Sequence, residues 1–176
     1  LYENPKILVR NVTSDRGVLA VLDTSGFYSQ DAVNICVLKH NLLGVKEARI
    51  RPDDAKESVG YDLRYLLGVI NSRLTNFYFR VLLGGTIHVY PDHVRNFPIR
   101  LIDFSDAADV ARHDKMVAMV EEMLRLQKER AEAEALKDDR RHDLARRIER
   151  LDREIDALVY ELYGLTEEEI ALVERK

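Results

Sequence analysis

Residues Tyr65 to Arg80 read YLLGVINSRLTNFYFR; a Gly84-Gly85 pair follows, then HVYPDHVRNFPI from His88 to Ile99. Apolar residues fall at Leu63, Leu66, Leu67, Ile70, Leu74, Phe77, Tyr78 and Val81, a three-and-four spacing that gathers a stripe on one side of a helix. The spacing predicts one amphipathic helix packed along that flank. Asn71, Ser72, Arg73, Thr75 and Asn76 are expected on its polar, outward side. Glycine readily takes the left-handed conformation that closes a helix, so Gly84-Gly85 should end it. The chain beyond should run extended to Phe97-Pro98.

Upstream the pattern is that of an antiparallel sheet. Lys6 to Val12 and Val18 to Asp23 are short β-branched and aliphatic runs joined through Thr13-Ser14-Asp15-Arg16-Gly17, a loop of hairpin composition. A third run, Ala32 to Leu38, is apolar enough for a strand covered on both faces. Cys36 sits inside it and reads as a buried strand residue rather than a reactive thiol. From Lys39 to Gly60 the chain is polar and reads as a loop, or a strand with long loops.

After Pro98 the composition changes: from Asp106 onward there is no proline, and the one glycine is Gly164. Leu144, Ile148, Leu151, Ile155, Leu158 and Leu162 form a heptad seam. Met116, Val117, Val120, Met123, Leu124 and Ala131 make a looser apolar side before it, and Lys137 to Asp143 is where the chain should reverse. The expectation is an antiparallel helical hairpin, then a short helix capped by Thr166 with Glu167 to Glu169 at its positive end. The fold class is α+β, with a small mixed domain at 1-104 and a helical spacer at 105-176.

At 176 residues the length suits one domain with an appendage. The chain starts at Leu1 without a charged-then-apolar leader, and no apolar run is long enough to span a bilayer. With its single cysteine, it reads as a cytoplasmic fragment of something longer. A net charge of -4 argues at first against a phosphate-rich partner. The sign changes along the chain, however. Residues 1 to 104 hold 13 Lys+Arg against 11 Asp+Glu, net +2, and residues 105 to 176 hold 14 against 20, net -6. A DNA face, if there is one, belongs to the first part.

The order of these segments resembles the TaqI-like C-terminal specificity domain, the target recognition domain of adenine-specific DNA methyltransferases and of combined restriction-modification enzymes. ALVYELYGLTEEEIALVE, Ala157 to Glu174, resembles the C-terminal end of type I and type IIG restriction-modification polypeptides, where long helices act as a spacer. The resemblance implies that this chain binds double-stranded DNA and selects its sequence. Catalysis, and the cofactor S-adenosylmethionine, would belong to a methyltransferase domain of the same polypeptide, with or without a fused endonuclease. It also implies that residues between the central helix and the proline-containing segment, here Gly84 to Arg95, contribute to recognition.

Sequence-specific reading needs donors and acceptors carried to base edges and cations placed for phosphates. Arg10, Arg16, Lys39, His40, Lys46, Arg49, Arg51, Thr86, His88, Tyr90, His93 and Arg95 are the candidates. No catalytic or metal-ligating residue is assigned. Cys36 with His40, His88 and His93 lacks the paired ligand spacing of a zinc site. Pro52-Asp53 with Asp54-Ala55-Lys56 puts the two elements of a nuclease metal site on top of each other rather than on adjacent strands. Glu3-Asn4-Pro5-Lys6 lacks the second proline and the aromatic residue of the adenine methyltransferase signature. The alternative reading is a structural or oligomerisation module that binds protein through its helical hairpin.

Overall fold

The first apolar run, Lys6–Arg10, becomes β1, and it sits between β2 (Ala20–Asp23) and β3 (Val33–Cys36) in an antiparallel sheet ordered β2-β1-β3. The structure, a computed structural model, describes residues 2–14, 17–29, 32–46 and 48–175. β1 is paired along both edges, and the residues on both of its faces are buried, Ile7 and Val9 fully and Leu8 nearly so. This corrects the expectation for the third run. β3 is an edge strand, half-buried throughout and interrupted by polar Asn34. Lys6 is also fully buried, which is tolerable because Asp23 lies 2.5 Å from its ammonium and the Tyr2 carbonyl accepts from it at 2.7 Å. That ammonium, with donors from Ser25 and Phe27, holds the Asp23 carboxyl far below the usual carboxylate range.

The stretch Tyr65 to Arg80 does not form one helix but two, α2 (Leu63–Asn71) and α3 (Arg73–Leu82), α1 being the short Pro52–Lys56 helix upstream. In an unbroken helix the Arg73 N–H would reach the Val69 carbonyl. Instead it donates to Asp156 Oδ1 at 2.9 Å, and the Thr75 hydroxyl donates to the Val69 carbonyl at 2.7 Å. The break is thus built from polar side chains, and Ser72 and Thr75 are buried rather than outward. Val81, expected in the apolar stripe, is exposed.

The polar flank has a further role. The Asn71 amide pairs with Ala20 on the edge strand β2, accepting from its N–H at 2.8 Å and donating to its carbonyl at 3.0 Å. Asn76 Oδ1 accepts from the Val18 N–H at 2.6 Å. Two side chains therefore continue the sheet's hydrogen bonding where, among the described residues, no fourth strand pairs. Gly17 permits this: its φ is +88°, and a Cβ there would fall 2.0 Å from Asn76 Oδ1. α2 packs on β1 and β2 through an almost entirely buried surface that includes Tyr65, Leu67 and Val69.

The His88–Ile99 segment is not extended as expected. After a bridge at His88 it forms the short helix α4, Pro91–Arg95. Pro91 takes the first helical position, where its missing N–H costs nothing, and His93 Nδ1 accepts from the Tyr90 N–H at 3.2 Å. The polar stretch after β3 likewise holds a 3-10 turn at Lys39–Leu42 and then α1, with no strand among its described residues.

By its backbone the chain divides into two compact units, 1–71 with 75–99 and 72–74 with 100–176. The second is the long antiparallel hairpin that the heptads predict, α5 (Ala107–Ala135) against α6 (Arg140–Tyr163), followed by α7 (Glu167–Glu174). On α6 the expected seam is buried except at half-buried Leu151. On α5 the stripe differs from the expected one. Leu126 and Ala133 are buried with Leu144 and Ile148, Leu124 and Val117 are half-buried, and Ala131 is exposed. The reversal is tighter than Lys137 to Asp143, since α6 already begins at Arg140 and Lys137 takes a positive φ of 56°. At the start of α5, Asp109 is gripped by Arg100 at 3.0 and 3.1 Å, by Arg112 at 2.5 Å and by the Asp103 N–H, which together keep its carboxyl far below the usual range. Thr166 and Glu169 form the capping box that opens α7. Among the described residues no helix is long and apolar enough to cross a membrane.

Candidate nucleic-acid interface

The predicted site residues fall at two ends of one strand. β3 runs antiparallel to β1, pairing Arg10 with Val33 and Ile7 with Cys36, so the chain leaves β3 at the Lys6 end. There the Lys39–Leu42 turn meets Asn4, whose Nδ2 donates to the Asn41 carbonyl at 3.5 Å. Lys39, His40, Lys46, Arg49 and Arg51 belong to this end. Arg10, Thr86, His88 and Tyr90 belong to the other. From Asn4 to Val12 the nearly extended chain covers roughly 25 Å at about 3.3 Å per residue. Arg16 lies outside the described residues.

At the first end most groups are engaged. Arg51 Nε and Nη2 each donate at 2.9 Å to the two oxygens of Asp54, and Lys39 pairs with Glu57 at 3.3 Å. The Arg51 contact draws the Asp54 carboxyl below its usual range. His40 is half-buried, its N–H donating to Ser58 Oγ at 2.9 Å and its ring nitrogen Nδ1 3.0 Å from that same oxygen. Lys46 and Arg49 are exposed and form no ion pair with a described residue. Arg49 holds a positive φ of 50°, uncommon for a side-chain-bearing residue.

At the second end the two loops join. The Thr13 N–H donates to the Ile87 carbonyl at 2.9 Å, and the Val89 N–H donates to the Asn11 carbonyl at 2.8 Å. Val12 and His88 thus stand directly opposite each other in a short antiparallel ribbon, side chains on one face. The Tyr90 ring lies 5.9 Å from that of His88, and the Thr86 hydroxyl donates to the His88 carbonyl at 2.7 Å. All are exposed, as is Arg10 two residues before Val12. The ribbon is held in place: Asn34 Nδ2 donates to the Val89 carbonyl at 2.8 Å, and buried Val89 plugs the core beneath. On its other side Gly85 N–H donates to the Phe79 carbonyl at 3.0 Å, folding the chain back over the end of α3. A Cβ on Gly85 would meet the Arg80 backbone at 3.0 Å, and its φ is +47°.

His93 sits half-buried, its ring edge-on to Phe79 at 5.3 Å, and Arg95 pairs with Asp92 at 2.6 Å. Val12 and Arg80, not among the sequence-derived candidates, are also exposed. Arg80 is exposed at the end of α3 and, like Arg10, pairs with no described carboxylate. Its place in the last turn before two glycines is a signal that could have found it. Cys36, in β3, has its thiol pushed up to about 11 by burial, which keeps it protonated and unreactive.

The model of the TaqI-like C-terminal specificity domain matches residues 1–99, more than half of the 176. The chain belongs to this family. A TaqI-like specificity domain has a DNA target-recognition role in methyltransferases, and it is the selecting part rather than the catalytic one. No curated protein and no solved structure matches the chain. In this specificity domain the matched region takes in the sheet, both loop ends and α1 to α4, and stops where α5 and α6 have yet to begin.

Proposed function

We propose that the chain is the target recognition part of an adenine-specific restriction-modification methyltransferase, holding duplex DNA while a catalytic domain of the same polypeptide turns an adenine out of the stack and methylates N6. The observation that carries this reading is the family match over the region in which Arg10, Val12, Thr86, His88 and Tyr90 converge on one exposed ribbon. We assign direct contact with DNA to Arg10, Arg80, Thr86, His88 and Tyr90, and to Lys46 and Arg49 at the opposite end. Ends roughly 25 Å apart fit within one duplex turn of about 34 Å, so one bound duplex reaches both. His40, His93, Arg51 and Arg95 are already committed to neighbours and serve mainly to shape the loops. S-adenosylmethionine is assigned to that catalytic domain, as the family resemblance implies. The helical hairpin spaces recognition from catalysis.

Titration of labelled duplex at two salt concentrations tests the reading. With three to five phosphate contacts, the logarithm of affinity should fall with a slope of about -3 to -4.5 against the logarithm of salt, at roughly 0.9 per contact. Absence of binding at low salt, where nonspecific contact is strongest, overturns it in favour of a structural module.

A further inference from the structure

Val12 is 40% exposed and stands directly opposite His88 in the ribbon. Its backbone is fixed by the hydrogen bonds that flank it on both sides, so the side chain is presented outward rather than left over from a loose loop. His88 stands opposite it and exposed Arg10 two residues before it, while Asp92, the described acid nearest His88 along the chain, is occupied by Arg95. Such a surface suits an anionic partner with an apolar spot at its centre.

A two-stranded ribbon has the width that the major groove of B-form DNA admits, and the C5-methyl of thymine is the apolar group displayed on base edges there. The minor groove shows none. We infer that the ribbon enters the major groove and that Val12 reads thymine through its 5-methyl group, with His88 beside it for a neighbouring acceptor. The inference rests on the proposed DNA-recognition reading and adds the chemical feature read.

The test begins with a duplex library enriched by several rounds of capture on the full chain, then copied with either thymidine or deoxyuridine nucleotides, which differ at each such position by the methyl group alone. Competition between the two copies should favour the thymine form by about fourfold for one covered methyl group. Val12→Ser should bring that ratio close to one. Ile87→Ala, which removes an aliphatic side chain 69% exposed but outside the Val12–His88 pair, should keep it. Equal binding of both copies by the wild-type chain overturns the inference while leaving DNA recognition intact, as does loss of the preference in Ile87→Ala with its retention in Val12→Ser. A chain that captures no duplex at low salt overturns the recognition reading itself.

Discussion

The hairpin of α5 and α6 and the ribbon of residues 11–13 and 87–89 are both antiparallel pairs, yet their surfaces are opposites. In the hairpin Leu126, Ala133, Leu144 and Ile148 are buried together and charges answer one another: Arg125 with Glu122 and Glu129, Arg130 with Glu134, Arg146 with Asp143. In the ribbon Val12 and Ile87 are outside, and Arg10 and Arg80 have no described carboxylate to answer them. The two halves of the chain carry almost the same number of cations, 13 before residue 105 and 14 after it. What separates the two surfaces here is whether a described carboxylate already occupies the cation.

The largest expected effect lies in the hairpin. Ile155 is 7% exposed, and Ile155→Ala should destabilise the fold by about 2 to 5 kcal/mol in chemical denaturation, whereas Glu154→Ala, on an exposed neighbour, should change little. Equal losses from the two would break the contrast by showing that the seam is not sealed.

Next comes Asp156, a buried carboxyl of the hairpin. Desolvation lifts the Asp156 carboxyl to about 6, with the Arg73 backbone donor and guanidinium offsetting it in part. The folded chain therefore holds this proton more tightly than the unfolded chain does. The contribution is complete below the ordinary carboxylate value and is lost as pH rises through 6. Asp156→Asn has no such proton, so the wild-type advantage over it should shrink by on the order of 1 to 3 kcal/mol between pH 4 and pH 7. Denaturant melts at several pH values measure this. A difference that stays flat would mean that Arg73 fully neutralises the group.

Arg49→Ala in the full-length parent should weaken binding at one base position by about 1 to 3 kcal/mol and relax the preference there. Arg51→Ala should do less, because Arg51 must first leave Asp54. Mapping methylated sites in cells that express each variant decides it, and an unaltered motif in both would remove the Lys6 end of the sheet from base readout. The smallest effect sharpens the comparison directly. Arg10→Ala should shorten the salt slope by about one unit, and Arg125→Ala in the hairpin should leave the slope as it is.

The hairpin was legible because its signal is local: a repeat of four and three over Leu144 to Leu162 can have few other meanings, and Thr166 with Glu169 announces its helix within four residues. The break at Ser72 was not, since the group that takes the Arg73 N–H is Asp156, 83 residues away. The ribbon was half legible. Thr86, His88 and Tyr90 stand out as polar and aromatic residues in a turn, but nothing near them in sequence shows that Val12 lies opposite His88, a pairing made across 76 positions. Arg51 illustrates the reverse. Its engagement by Asp54 three residues on is a local signal, outweighed by the pull of a cation-rich stretch.

The amide of Asn71 has a consequence for life at high concentration. An outer strand as short as β2, with Val21 57% exposed on it, is where one copy of a sheet protein could recruit another edge to edge. Ala20 offers the outward-facing N–H and carbonyl for that, and Asn71 fills both. A single side chain from the α2 end thus acts as a guard against self-association, leaving the β2 edge of the sheet already taken at Ala20 before a second copy can reach it.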